Sequence, residues 1–322
     1  MSQTGIVVVT HNSEGVIGEC LEAALASGAQ VVVVDNASRD RTLDQVHQRP
    51  HARLIANPWN RGFAAAVNQG LEALECSHVL LLNPDTVLVG GLEALVAAVS
   101  DGAAAAGGKL VGEDGGLQRG YMVRRLPTPA SLAFEVLGVN RLWPGNPINR
   151  RYRCRDLDLE RPSEVEQPAG AFLMVRREAW RQLGGFDECF RPIWFEDVDF
   201  CRRARQAGYR IRYVPEAVAR HRGGHSVAGM EWEQRRLYWY DSVLRYSGKH
   251  FSPAAHRVMC LAVMMRSLLG ATKGIVVLRR PQAAAVHGRI IRLALDGLVG
   301  GGSRLRELPW PGSRLEDFRG LL

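Results

Sequence analysis

Two runs of four consecutive β-branched residues, Ile6-Val7-Val8-Val9 and Val31-Val32-Val33-Val34, constrain this chain more than any other feature. A strand that is apolar at every position has no face to offer water, so it must be covered on both sides. Residues 16–25, between the two runs, have helical spacing, which makes the stretch one βαβ unit. The cycle then repeats, with a short strand at 53–56, an Ala-rich helix at 63–74 and a fully apolar strand at 79–82. Strands alternating with helices imply an α/β fold, with a mostly parallel central sheet flanked by helices. Ligands then gather at the carboxyl ends of the strands. A chain of 322 residues, 46% hydrophobic and 23% charged, excludes collagen, coiled coil and wholesale disorder.

Three strand ends are polar: Thr10-His11-Asn12, Asp35-Asn36-Ala37-Ser38 and Asn83-Pro84-Asp85-Thr86. Residues 126–168, rich in Pro and Arg, read as an irregular loop. Order returns with a strand at 169–175, a helix at 177–183 closed by Gly184-Gly185, a helix at 200–207 and a last strand at 209–214. The charge divides sharply. Residues 1–229 carry 26 basic and 26 acidic groups, so the whole net charge of +8 lies in residues 230–322. There the pattern is helical, with apolar stretches flanked by Arg266, Lys273, Arg279 and Arg280, as in amphipathic helices lying on a bilayer. The expected domains are therefore 1–228 and a basic helical extension, 229–322. No run of about 18 uncharged apolar residues exists, so a spanning helix is not expected. Six scattered cysteines without a CxxC pair, and no signal peptide before the first strand, point to the cytoplasm. Nucleic acid is not an expected partner.

Several side chains could carry chemistry. Asp85 directly follows an apolar strand, and one well-placed carboxylate serves a divalent cation whose remaining oxygens come from a diphosphate. The competing reading is a plain turn. Glu196-Asp197-Val198-Asp199 opens a helix, where the backbone dipole keeps carboxylates ionised and able to accept a proton; dipole complementation alone is the alternative. His221 and His225 could complete a metal shell begun by Asp85, or could be surface histidines. Asp35, after the second strand, is placed to contact a nucleotide's base or ribose. The dinucleotide fingerprint, the P-loop and the hydrolase nucleophile elbow are all absent.

Taken in order, Val7 to Asn12, Val34 to Asp40, Asn57 to Asn68 with Asn60-Arg61-Gly62-Phe63 inside it, Leu82-Asn83-Pro84-Asp85, Pro168-Ala169-Gly170-Ala171, Gly184 to Glu188 and Phe195 to Asp199 resemble a family 2 inverting glycosyltransferase of the GT-A fold. The Asn-Pro-Asp form is most similar to the rhamnosyltransferase branch, which uses dTDP-L-rhamnose. The resemblance implies that Asp35 contacts the base and that Thr10, Asn12, Asn57, Gly62, Asn83 and Gly170 line the donor site. It implies Mg²⁺ or Mn²⁺ on Asp85 with His221 as partner, and Asp197 as the general base, with Glu196 as the alternative. Trp194 and Phe195 fall on the acceptor side. The family's Asp-x-Asp has Asn83 at its first position, a weaker and neutral ligand. The implied acceptor is a glycan or polyprenyl-linked glycan of cell-surface polysaccharide synthesis, with the cationic tail on the anionic inner face of the membrane. UDP-galactofuranose or UDP-glucose as donor, and a catalytically silent scaffold, are the competing readings.

Overall fold

The computed structural model describes residues 4–224, 229–276 and 281–300. They divide into two compact units, one of residues 4–126, 153–188, 196–224 and 229, the other of residues 127–152, 189–195, 230–276 and 281–300. The second unit thus includes two segments that a linear division at 228/229 assigns to the first.

The first unit opens with β1 (Thr4–Thr10), α1 (Ile17–Ala26), β2 (Gln30–Asn36), α2 (Thr42–His47), β3 (Ala52–Asn57), α3 (Phe63–Glu72) and β4 (His78–Leu82). Strands β3, β2, β1 and β4 lie side by side and parallel, as the apolar runs require. Val7, Val8, Val32, Val33 and Leu80 are at most 1% exposed, and each such burial stabilises by about 1.5–3 kcal/mol. Helix α3 lies so close to β1 that a Cβ on Gly70 would sit 2.5 Å from a methyl of Val7, which is why glycine stands there.

Beyond β4 the sheet becomes mixed. The turn at Asn83 leads into β5 (Thr86–Gly90) and only then to α4 (Leu92–Ser100), β6 (Ala105–Val111) and the short β7 (Val123–Arg124). Residues 126–168, read as irregular, instead hold α5 (Pro129–Leu137), α6 (Val139–Leu142), α7 (Pro147–Tyr152), β8 (Ser163–Glu164) and β9 (Gln167–Pro168). The prolines that suggested a loop act as helix starters: Pro129 follows Thr128, whose side chain caps α5 in a reciprocal box with Ser131. Next come β10 (Phe172–Arg176), α8 (Arg177–Gln182), α9 (Glu196–Gln206) and β11 (Ile211–His221). Helix α9 starts four residues earlier than expected, at the acidic cluster itself. Strand β11 runs seven residues past the expected end at Val214, because the chain passes Pro215 with a shift of register between Val214 and Val218.

The sheet order is β3-β2-β1-β4-β10-β6-β11-β5, with β8 added to β11. Strand β10 is antiparallel to both β4 and β6, and β11 is parallel to β6 but antiparallel to β5.

The second unit contains α5, α6 and α7 together with three long helices, α10 (Trp232–His250), α11 (Pro253–Val276) and α12 (Pro281–Gly300). By length and composition α11 is long and apolar enough to cross a membrane, with a mean hydropathy of 1.4 over its best window, of which 33% is buried in the protein. No such helix was expected from the sequence. Its three cations are spaced widely enough for the apolar residues between them to dominate.

Candidate active site

The loops after β1, β2 and β3 form one hydrogen-bonded rim. Asp35 is buried, and its carboxylate accepts from Thr10 Oγ1 at 2.8 Å, Ser38 Oγ at 2.5 Å and Ser38 N at 2.9 Å. The backbone N of Asn12 donates to Ser38 Oγ, and Asn12 Oδ1 accepts from Arg39 N, both at 2.8 Å. Asn12 and Ala37 both adopt left-handed backbone, φ 52° and 59°, so the two loops face each other through strained turns. Asn36 binds the third loop, donating to Gly62 O at 3.1 Å and accepting from Asn57 Nδ2 at 3.1 Å. Thr10, Asp35, Asn57 and Gly62 are therefore buried parts of the rim, and Asn12 is its exposed member.

Asp85 and His221 are neighbours because of sheet register. In the β5–β11 ladder His221 pairs with Thr86, and Arg222 N donates to Asp85 O at 3.0 Å, so residues 136 positions apart become adjacent. Asp85 Oδ1 lies 3.6 Å from His221 Nε2, and both side chains are buried. Gln118 decides the state of that imidazole. Its amide donates to the His221 carbonyl at 2.8 Å, and a carbonyl only accepts, so its oxygen faces Nδ1 at 2.8 Å. Nδ1 carries the proton and Nε2 presents its lone pair to the carboxylate. Burial also pulls the His221 pKa below its usual value, although Asp85 opposes this. Two acceptors converging in a buried place are relieved by a cation, and carboxylate plus imidazole suits Mg²⁺ or Mn²⁺ when a diphosphate supplies further oxygens. Among the described residues no group of three or more His, Cys, Asp or Glu comes together. His225 lies outside the described residues.

Asp197 reaches the same edge through β10. Its Oδ2 accepts from Gly170 N at 2.9 Å and Gln167 Nε2 at 3.1 Å, and Oδ1 accepts from Val198 N at 2.8 Å. Ala171 O accepts from Asn83 N at 3.1 Å, and Phe172 pairs with Leu82, so the strand end holding Asp197 lies beside the turn that carries Asp85. A Cβ at Gly170 would sit 3.1 Å from Asp197 Oδ2, close enough that the carboxylate would have to shift by a few tenths of an ångström. Burial raises the Asp197 pKa above the usual carboxylate range, against the pull of the backbone N–H donors and Arg124. The other acids differ. Asp199 is fully buried and ion-paired with Arg203 at 2.7 Å, which also donates to the carbonyls of Leu183 and Gly185. That is a fastening for α9. Glu196 is buried at the helix start.

The aromatic pair before α9 belongs to the second unit. Phe195 is buried against the Tyr246 ring, 5.1 Å between centroids, and Trp194 packs with Met230 on Tyr238. Both have left-handed φ, 82° for Trp194 and 73° for Phe195, strain stored directly before the acidic helix start.

Sequence reasoning missed Gln118, Tyr121, Arg124 and Gln167. Tyr121 stacks on His221 at 5.1 Å with planes 9° apart, and burial together with Asp197, Asp85 and Glu196 pushes its phenol pKa up. It therefore lies within the field of all three carboxylates. An aromatic in a glycine-rich polar stretch, and a glutamine directly before Pro168-Ala169-Gly170, were the available signals.

Comparisons with known proteins identify the family. The glycosyl transferase family 2 model matches residues 5–184, and the glycosyl transferase family group 2 model matches residues 156–285. The chain is 32% identical over 245 residues to an N-acetylglucosaminyl-diphospho-decaprenol L-rhamnosyltransferase of Mycobacterium tuberculosis, covering 69% of this chain and 76% of that protein. It is 24% identical to rhamnosyltransferase WbbL of Escherichia coli, covering 75% and 91%. A mannosyltransferase from Pyrobaculum calidifontis, solved with GDP-Man and Mn²⁺, shares the fold at a TM-score of 0.52 and 18% identity, over 92% of this chain and 87% of that one. The chain belongs to glycosyl transferase family 2 and is a rhamnosyltransferase-like glycosyltransferase.

Proposed function

We propose that the protein transfers L-rhamnose from dTDP-L-rhamnose to a hydroxyl of a glycan or polyprenyl-linked glycan, with inversion at the anomeric carbon. The observation that carries this reading is the meeting of Asp85–His221 and Asp197 at one sheet edge, 3.6 Å separating the first pair. The relatives' names support rhamnose as the sugar and a lipid diphosphate as carrier of the acceptor. A divalent cation held by Asp85 and His221 would supply charge neutralisation for the departing diphosphate.

The chain's own groups do the rest. The rim formed by Asn12, Ser38 and Asn36 holds the nucleotide end. Asp197 Oδ2 is engaged by two donors, so Oδ1, with one donor, has the lone pair that takes the acceptor's proton. Burial makes this carboxylate a stronger base than one in water. The acceptor oxygen then displaces the nucleotide from the opposite face in one step. Glu196 remains the second candidate base. Free thiols at all six cysteines support a reducing, cytoplasmic site of action.

The test is a panel of nucleotide sugars with Mg²⁺ or Mn²⁺ and a membrane extract as acceptor, reading release of the nucleoside diphosphate. Release from dTDP-L-rhamnose above all others is expected. Preference for UDP-galactofuranose or UDP-glucose changes the donor, and no release from any of them means a silent scaffold.

A further inference from the structure

The second unit carries a concentrated exposed apolar surface. Of the fourteen exposed large hydrophobic residues among the described ones, twelve belong to this unit. Seven lie on α11: Val258, Leu261, Met265, Leu268, Leu269, Ile275 and Val276, each at least 50% exposed. At about 100° per residue they occupy one stripe roughly 120° wide. The opposite side of α11, with Met259, Cys260, Val263 and Ser267, is buried. Exposed Arg257 borders the stripe on one side and exposed Lys273 on the other, and the helix contains no carboxylate.

Two features choose the occupant. A second copy of the chain would set these cations against their own kind. A bilayer with anionic headgroups takes the apolar stripe into its acyl boundary and the cations at its surface. A helix packed on one side against its own protein and rimmed by cations suits the interface plane better than a span.

We propose that α11 lies flat in the headgroup–acyl boundary of an anionic bilayer, inserting the stripe from Val258 to Val276. The proposal concerns attachment and does not depend on the identity of the donor sugar.

The test is flotation of the full-length protein with phosphatidylglycerol–phosphatidylcholine vesicles and with phosphatidylcholine alone. Wild type is expected to float with the anionic vesicles and less with the neutral ones. Added salt should weaken binding without abolishing it, because the apolar stripe is insensitive to screening. The double variant L261S/L268S should lose at least about tenfold in partitioning, since two half-exposed leucines no longer transfer out of water. Its circular dichroism, and nucleotide release with a water-soluble acceptor, should stay as in wild type. Equal binding of the variant and wild type overturns the proposal, as does failure of wild type to float. A wild-type dimer that the variant dissociates, seen by light scattering, assigns the stripe to a second copy instead. Resistance of bound protein to alkaline carbonate extraction means a spanning helix and also refutes it. Loss of flotation with intact sugar transfer separates this idea from the transfer reading.

Discussion

Replacing Gln118 by leucine tests the site through a residue that holds His221. In the native protein Gln118 donates to the His221 backbone carbonyl at 2.8 Å, which turns its amide oxygen toward Nδ1, also at 2.8 Å, and so keeps the imidazole proton on Nδ1 and the lone pair toward Asp85. Leucine removes the Nδ1 partner. The other tautomer, with an Nε2 proton facing the Asp85 carboxylate across 3.6 Å, is then favoured electrostatically, although the pair lies beyond hydrogen-bond distance. Any cation binding there must first displace that proton. Loss of such a supporting partner typically costs about 10–100-fold in metal affinity, or about 1.4–2.7 kcal/mol. We expect Gln118→Leu to weaken Mn²⁺ binding by that factor in calorimetric titration with nucleoside diphosphate present. Gln118→Glu still accepts from Nδ1–H and should bind Mn²⁺ close to wild type. Imidazole ¹⁵N shifts of the metal-free protein should move from the Nδ1–H to the Nε2–H pattern in the leucine variant only. An Nε2–H pattern already present in wild type, or unchanged Mn²⁺ affinity in Gln118→Leu, refutes the reasoning.

Asp197→Asn should lower kcat by about 10²–10⁴-fold while leaving donor affinity nearly intact, and equal loss of both would make the residue structural. Because burial raises the Asp197 pKa, the acid limb of the kcat/KM profile should lie above the ordinary carboxylate value of 3.8; a limb at or below that value would contradict the assignment. In the second unit, burial beside Arg236 and Arg266 pushes His287 from 6.5 down to about 4. Below pH 6.5 the unfolded chain takes up a proton that the folded chain refuses. Stability should therefore fall by about 2 kcal/mol between pH 7.5 and 5, measured as a shift in urea midpoint that His287→Gln suppresses.

Strands β1, β2 and β4 were legible because each is a short apolar run whose burial does not depend on distant sequence, and β3, with Arg53 in it, was legible from its place in the strand–helix alternation. The second half of the sheet was not, since β10 and β11 take their places through ladders with β4, β6 and β5 that no local pattern announces. Pro215 shows how the error arises: it removes one donor and reads as a stop, yet the strand absorbs it in a register shift. Pro129 misled in the same way, by reading as a loop while starting a helix.

The site follows the same division. Asp85, Asp197 and His221 were visible because each is an acid or imidazole at the end of an apolar or helical run. Gln118 and Gln167 were invisible, because a glutamine acquires its role only from what lies opposite it: His221 is 103 residues from Gln118, and Asp197 is 30 from Gln167. The ladders explain why these separations do not matter. Once β11 pairs with β5, His221 must lie beside Asp85, and once β10 pairs with β4, Gly170 must bring Asp197 beside the Asn83 turn. The acids are thus held by backbone pairing on both sides, which leaves the glutamines to set protonation and orientation. A substitution that breaks either ladder should scatter the acids, whereas one at Gln118 or Gln167 should retune them in place.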